Sequence, residues 1–292
     1  MTLTTSPASW TLPAPVSRPV VLAEGSDVLI LGGLTSGDVS TSAVERIDPT
    51  NGSGSRVGSL AMAVHDAAGA LLGGRAIVFG GGSSSTVATV QSFSGGTATT
   101  LGRLPQPRSD LGAAVVGSTA YVLGGFDGSR LVPSVVATVN GTSFASDGAL
   151  AQPVRYPAVA VDGGNIWVIG GDLGTAENAT AGGQTDDIQR FDPATGQATV
   201  VGHLPSPLGH AGAVVLDGQL FVIGGRSGTV ASDHIWRVDS TTAAVSPAGT
   251  LPGPRSDAGI VGVAGAAWVL GGELAGPVNP LNTVVELRPA GQ

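Results

Sequence analysis

Six Gly-Gly doublets that each close an apolar run, beginning at Gly32, Gly80, Gly124, Gly170, Gly224 and Gly271, divide the 292-residue chain at intervals of 48, 44, 46, 54 and 47. A fixed period of this length means that one supersecondary unit is copied along the chain, so the fold must bury each copy against its neighbours. The runs at 28–31, 76–79, 120–123, 166–169, 220–223 and 267–270 read as short buried strands. A leucine stands 20 residues before every doublet, at Leu12, Leu60, Leu104, Leu150, Leu204 and Leu251.

Between leucine and doublet lies a strand of small residues and then a turn such as Asp217-Gly218 or Gly163-Gly164, the chemistry of a tight hairpin. After the doublet come a variable loop, a third strand (44–48, 188–192, 235–239), a turn and a fourth strand that runs into the next leucine. Six four-stranded units without a helical period predict an all-β, six-bladed β-propeller, since radial closure protects strand edges. The last copy stops after its third strand, near Leu287, while residues 1–12 read as an unattached fourth strand. Pairing the two closes the ring. The expectation is one domain over 1–292, with a closing strand at 1–12 and blades at about 13–60, 61–104, 105–150, 151–204, 205–251 and 252–292.

Composition narrows the function. With 13 basic and 21 acidic residues the net charge is −8, which opposes nucleic-acid binding and tolerates cationic or neutral partners. There is no cysteine, so thiolate metal sites, Cys nucleophiles and disulfides are excluded. The longest weakly polar stretch, 258–272, is too short and too glycine-rich to span a membrane as a helix. Every basic residue is arginine, and with the Ser/Thr/Ala/Gly-rich, cysteine-free character this suggests a secreted bacterial protein, extracellular or periplasmic.

The hydrophobic run ending in Gly-Gly, followed by spaced aromatic residues, resembles the kelch repeat, and the resemblance covers essentially the whole chain. It departs in the third strand, where the family's Tyr is Ile47, Phe191, Val238 or Leu287, and in the later Trp, which survives only as Trp10. The resemblance implies a binding face where two loop sets converge. The set after each ruler leucine carries Arg18, His65, Asp66, Arg108, Asp110, Arg155, Tyr156, His210, Arg255 and Asp257; the set after the doublets adds Phe126, Asp127, Asp172, Arg226 and Glu273. Arg forks suit carboxylates, Asp accepts from hydroxyls, and Tyr156 or Phe126 offers a stacking face. Arg108 and Arg255 recur in near-identical Pro-Arg-Ser-Asp strings, which fits a framework role as well as a ligand role.

Tyr121, Trp167, Phe221 and Trp268 share a strand column and are expected in the core. The long loop 172–187 holds Asp172, Glu177, Asp186 and Asp187 without the spacing of a known calcium loop, so no metal or cofactor is expected. Nucleophile-elbow and zinc-helix motifs are absent, and no catalytic residue is assigned. The chain is expected to be a monomeric recognition module for a protein or carbohydrate ligand at the propeller mouth. The alternative is a cofactor-free carbohydrate-active enzyme resembling the periplasmic sialic-acid mutarotases.

Overall fold

The computed structural model describes residues 1–175, 183–274 and 279–291, so Glu177 lies outside the described residues. Among these the chain is all-β, built of strands and turns with no helix. The sheets follow chain order: Val20–Glu24, Asp27–Leu31, Ala43–Ile47 and Gly54–Ser59 form the first, and the others repeat this antiparallel meander. Leu216 faces Gln219 across the turn Asp217-Gly218, both with positive φ (48° and 67°), the conformation that matches strand twist in a two-residue hairpin.

The small-residue strands lie innermost. Val20–Glu24, Ala68–Leu72, Gly112–Val116, Ala158–Asp162, Gly212–Leu216 and Gly259–Val263 each contact the next, and the last contacts the first, giving a propeller-like ring. Small side chains belong here because inner strands converge. The apolar core fills the wedges between consecutive sheets; one wedge combines Phe221, Ile223 and Ile235 with Val269, Val285 and Leu287. All six ruler leucines are buried in such wedges, each contributing about 1.5–3 kcal/mol. Tyr121, Trp167, Phe221 and Trp268 are buried there too.

The doublets join one repeat to the next. The second glycine's amide donates to a carbonyl of the following repeat, as in Gly33 to Val64 (2.8 Å) and Gly225 to Arg255 (2.8 Å); Gly272 donates to Val16 at the chain's other end (2.9 Å). The termini also pair directly. Leu3–Thr11 lies antiparallel to Thr283–Pro289, with Leu3 opposite Pro289 and Thr11 opposite Thr283.

The sheets are less separate than the sequence predicts. Four have four strands, but the strands of 112–149 and 158–203 join into one sheet of eight through a single parallel pair, Ala149 opposite Gln197. Gly148 backs directly onto Gly196, so these two outer strands approach more closely than any side chain would permit.

Candidate functional site

One residue of each repeat, two positions before the small-residue strand or its first glycine, turns toward the axis: Arg18, Asp66, Asp110, Tyr156, His210 and Asp257. All six have positive φ, between 50° and 59°, uncommon for non-glycine residues. Their backbones form a closed circle of hydrogen bonds. Each amide donates to the carbonyl of the preceding member, from Asp66 to Arg18 (3.3 Å) through Asp257 to His210 (3.0 Å), and Arg18 donates to Asp257 (2.8 Å). These bonds offset the conformational cost and fix the side chains as a floor across the channel.

The floor is a charge network. Arg18 reaches Asp66 (3.2 Å), Glu273 (3.2 Å) and Asp257 (3.6 Å). Arg155 Nε lies 2.8 Å from Asp110 Oδ2, an ion pair not aligned as a hydrogen bond, and its Nη2 donates to the Tyr156 hydroxyl (3.3 Å). That hydroxyl donates to Asp66 (3.2 Å), and the Tyr156 ring stacks on His210 at 3.8 Å. His210 is held by Asp257 at Nδ1 (2.6 Å), with Asp172 (3.2 Å) and Arg226 (2.8 Å) at Nε2. Burial and Arg226 oppose a charged imidazole, but Asp257 and Asp172 outweigh them and raise the His210 pKa. Burial and the neighbouring Asp66 push the Asp110 carboxyl up to about 7 against the pull of Arg155. Asp257 is also fully buried, yet His210 and Arg18 hold it below the usual carboxylate range.

Two cavities adjoin this floor. One, of about 150 Å³, is the channel behind it, lined by the six axial residues and by Pro19, Ala67, Leu111, Pro157, Ala211 and Ala258. The other, of about 320 Å³, opens off-centre at the mouth between Arg18, His65, Asp66, Asp110, Arg155 and Tyr156. Its outer wall is Asp38, the loop Gly82-Ser83-Ser84-Ser85-Thr86, Ser109 and Phe126. The Arg155 guanidinium lies over the Phe126 ring at 4.8 Å, and His65 Nδ1 meets the Ser40 hydroxyl at 2.8 Å.

Of the residues singled out from sequence, Arg18, His65, Asp66, Asp110, Arg155, Tyr156, His210, Arg226 and Asp257 thus come together at the mouth. Arg108 and Arg255 do not. Arg108 is fully buried and binds the Ser134 carbonyl (2.7 Å) and hydroxyl (2.8 Å); Arg255 does the same at Thr283 (3.1 and 2.8 Å). They clamp the start of their own third strands, and neither pairs with Asp110 or Asp257. The serine loop and Asp38 were not legible as site residues. The one available signal was length: the link 82–88 is the shortest between second and third strands and has no side chain larger than valine, which leaves the cavity open.

The acids of the long loop divide. Asp172 joins the mouth and accepts from Gln184 (2.9 Å), whereas Asp186 and Asp187 pair with His203 (3.3 and 3.2 Å). That trio brings three metal-ligating atoms within 4.8 Å of one another, apart from the mouth cavity.

These features define a class: a repeat-built β-propeller whose loops gather around a polar, ligand-sized mouth. The chain is similar to kelch-repeat propellers. The Kelch motif family model matches residues 207–252. Kelch-like protein terF of Aspergillus terreus (strain NIH 2624 / FGSC A1156) is 30% identical over 135 residues, 43% of this chain, and the match spans 29% of that relative's length. The solved structure of YjhT shares the fold, with a TM-score of 0.79 at 16% identity over 95% of this chain and 96% of that one.

Proposed function

We propose that this protein is a monomeric recognition module, a six-bladed propeller that binds a small polar ligand or an exposed segment of a partner protein in its mouth pocket. The observation that carries the reading is the pocket of about 320 Å³ over a floor already locked by ion pairs and stacking. That volume falls in the range of small-molecule sites, and a floor ordered before binding lowers the entropic cost of association. The closed circle of six backbone hydrogen bonds supports the count of six blades. An exported location is part of the proposal and rests on composition alone.

A second reading, an acid–base enzyme acting on a sugar in the manner of the sialic-acid mutarotases, is favoured by Asp110. A carboxyl with a pKa of about 7 beside a polar pocket exchanges protons readily near neutrality.

The test is a thermal-shift screen against neutral sugars, sialic acids and short peptides, repeated on Ser84→Trp, which fills the pocket from an exposed loop. Ligand at 100 times its Kd adds about 2.7 kcal/mol of stability. The expected result is a ligand whose shift disappears in Ser84→Trp while the unliganded melting point is unchanged; a shift that survives places the site elsewhere. Turnover of a bound sugar, lost in Asp110→Asn while binding persists, selects the enzyme reading.

A further inference from the structure

The mouth has more acid than base. Its buried carboxylates are Asp66, Asp110, Asp172, Asp257 and Glu273, joined at the rim by Asp38, and the cations set against these six are Arg18, Arg155, Arg226 and at most two imidazoliums, His210 and His65. Each guanidinium already has a neighbour, although Arg155 Nε and Nη1 make no hydrogen bond. Arg18 serves three carboxylates, Arg155 lies against Asp110 and covers Phe126, and Arg226 is spent on His210. Apart from the exposed Asp38, the pocket's outer wall adds neutral hydroxyls from Ser83, Ser84, Ser85, Thr86 and Ser109.

One ion pair is incompletely satisfied: Asp110, 5% exposed, lines the pocket, and its Oδ2 makes no hydrogen bond although Arg155 Nε is 2.8 Å away, while Arg155 Nε and Nη1 are likewise without one. A buried carboxylate in that state carries a free-energy cost that an approaching cation reduces. An anionic ligand would instead meet Arg18 and Arg155, each already set against a carboxylate, inside a bowl whose acids, Asp38 included, outnumber its bases, on a protein of net charge −8.

We propose that the mouth pocket selects a cationic group, the ammonium or guanidinium of a small amine or of a partner's basic side chain, seated on the Asp38–Asp66–Asp110 side of the cavity. The inference rests on the reading of the mouth as a recognition site and names the ligand class for it.

Proton linkage gives the inference a sign. Asp110 faces Asp66, Arg155, Tyr156 and His210, with Arg18 and His65 behind Asp66, and the acidic neighbour together with burial holds its pKa near 7. Below that value the carboxyl is protonated and offers no charge, so cation binding weakens as pH falls and releases a proton near pH 7. With a pKa of 7, affinity is expected to be about tenfold lower at pH 6 than at pH 8. A carboxylate ligand has the opposite dependence, because protonating Asp110 frees Arg155.

The experiment titrates three probes of one size, n-propylguanidinium, n-propylurea and butyrate, into the whole protein by NMR at pH 6, 7 and 8, with Ser84→Trp and Asp38→Asn in parallel. The expected result is that only propylguanidinium binds, about tenfold more weakly at pH 6 than at pH 8, more weakly to Asp38→Asn and not at all to Ser84→Trp. Asp38 is an exposed loop residue, so its variant folds whatever its effect on binding. Butyrate or propylurea binding as well as propylguanidinium, and lost in Ser84→Trp, overturns the cation inference but leaves the recognition site in place. Binding of propylguanidinium that tightens on acidification, or that Ser84→Trp leaves intact, overturns it too. If no probe binds, the inference falls on its own and the screen against sugars and peptides still decides the wider reading.

Discussion

Glu45 stands where two other repeats place a glutamine. Gln91 and Gln189, both fully buried, each accept from and donate to one backbone residue just after the ruler leucine: Met62 (2.7 and 3.1 Å) and Gln152 (2.9 and 2.9 Å). Glu45 occupies the matching register, opposite Ile30 as Gln91 is opposite Val78, and lines a small apolar cavity with Ala14, the residue in the place of Met62. A carboxylate cannot donate to the Ala14 carbonyl, and Glu45 Oε2 is buried without a partner. Glu45→Gln is therefore expected to raise stability by about 1 kcal/mol at neutral pH, read as a higher urea midpoint at unchanged slope; a lower midpoint refutes the clamp. At this scale the sequence revealed columns but not directions. The Pro-Arg-Ser-Asp strings were visible, yet Arg and Asp two residues apart go to different places because the aspartate alone takes a positive φ, turning Asp110 and Asp257 to the axis while Arg108 and Arg255 enter the seam.

At the scale of the element, the Gly-Gly doublet was legible as a strand end, and its second role was not. Strand periodicity is local, whereas the second glycine is fixed by contacts on both sides. A Cβ on Gly225 would lie 2.7 Å from the Ala211 Cβ and 2.8 Å from the Gly209 carbonyl, with φ at 91° and its amide bonded to Arg255 of the next repeat. Gly218, in the hairpin turn of the same repeat, also has positive φ (67°) but has no atom within 4 Å of the added Cβ. Gly218→Ala thus meets only the left-handed backbone cost, about 1–2 kcal/mol. Gly225→Ala adds a clash with backbone and is expected to cost clearly more, on the order of 3 kcal/mol or above, with a loosened junction between the last two repeats. Equal costs from paired denaturation curves would mean that the doublet acts through turn conformation alone.

For the molecule as a whole, the period predicted radial closure and the structure returns a propeller-like ring; what the sequence missed is the bridge between the third and fourth meanders, since it depends on two distant glycines meeting. Closure places an unusual load on the chain's first strand. Leu3–Thr11 supplies the outer partner of Thr283–Pro289, buries Leu3 in the last wedge and sets Trp10 against Trp268, ring centroids 6.3 Å apart. Burying a large side chain contributes about 1.5–3 kcal/mol, so Leu3 and Trp10 with their ladder together reach the order of 5 kcal/mol, comparable to the whole stability of a modest domain. Deleting residues 1–11 also leaves Thr283–Pro289 as a bare edge, a template for pairing with another copy. The deletion is therefore expected to abolish the single cooperative transition and to yield dimers or larger species by size-exclusion chromatography. A synthetic peptide of residues 1–12 added in trans is expected to restore the monomer and the transition. A shortened chain that stays monomeric with an unchanged melting point would show instead that the inner strands and inter-repeat bonds such as Gly272 to Val16 hold the ring without its closing strand.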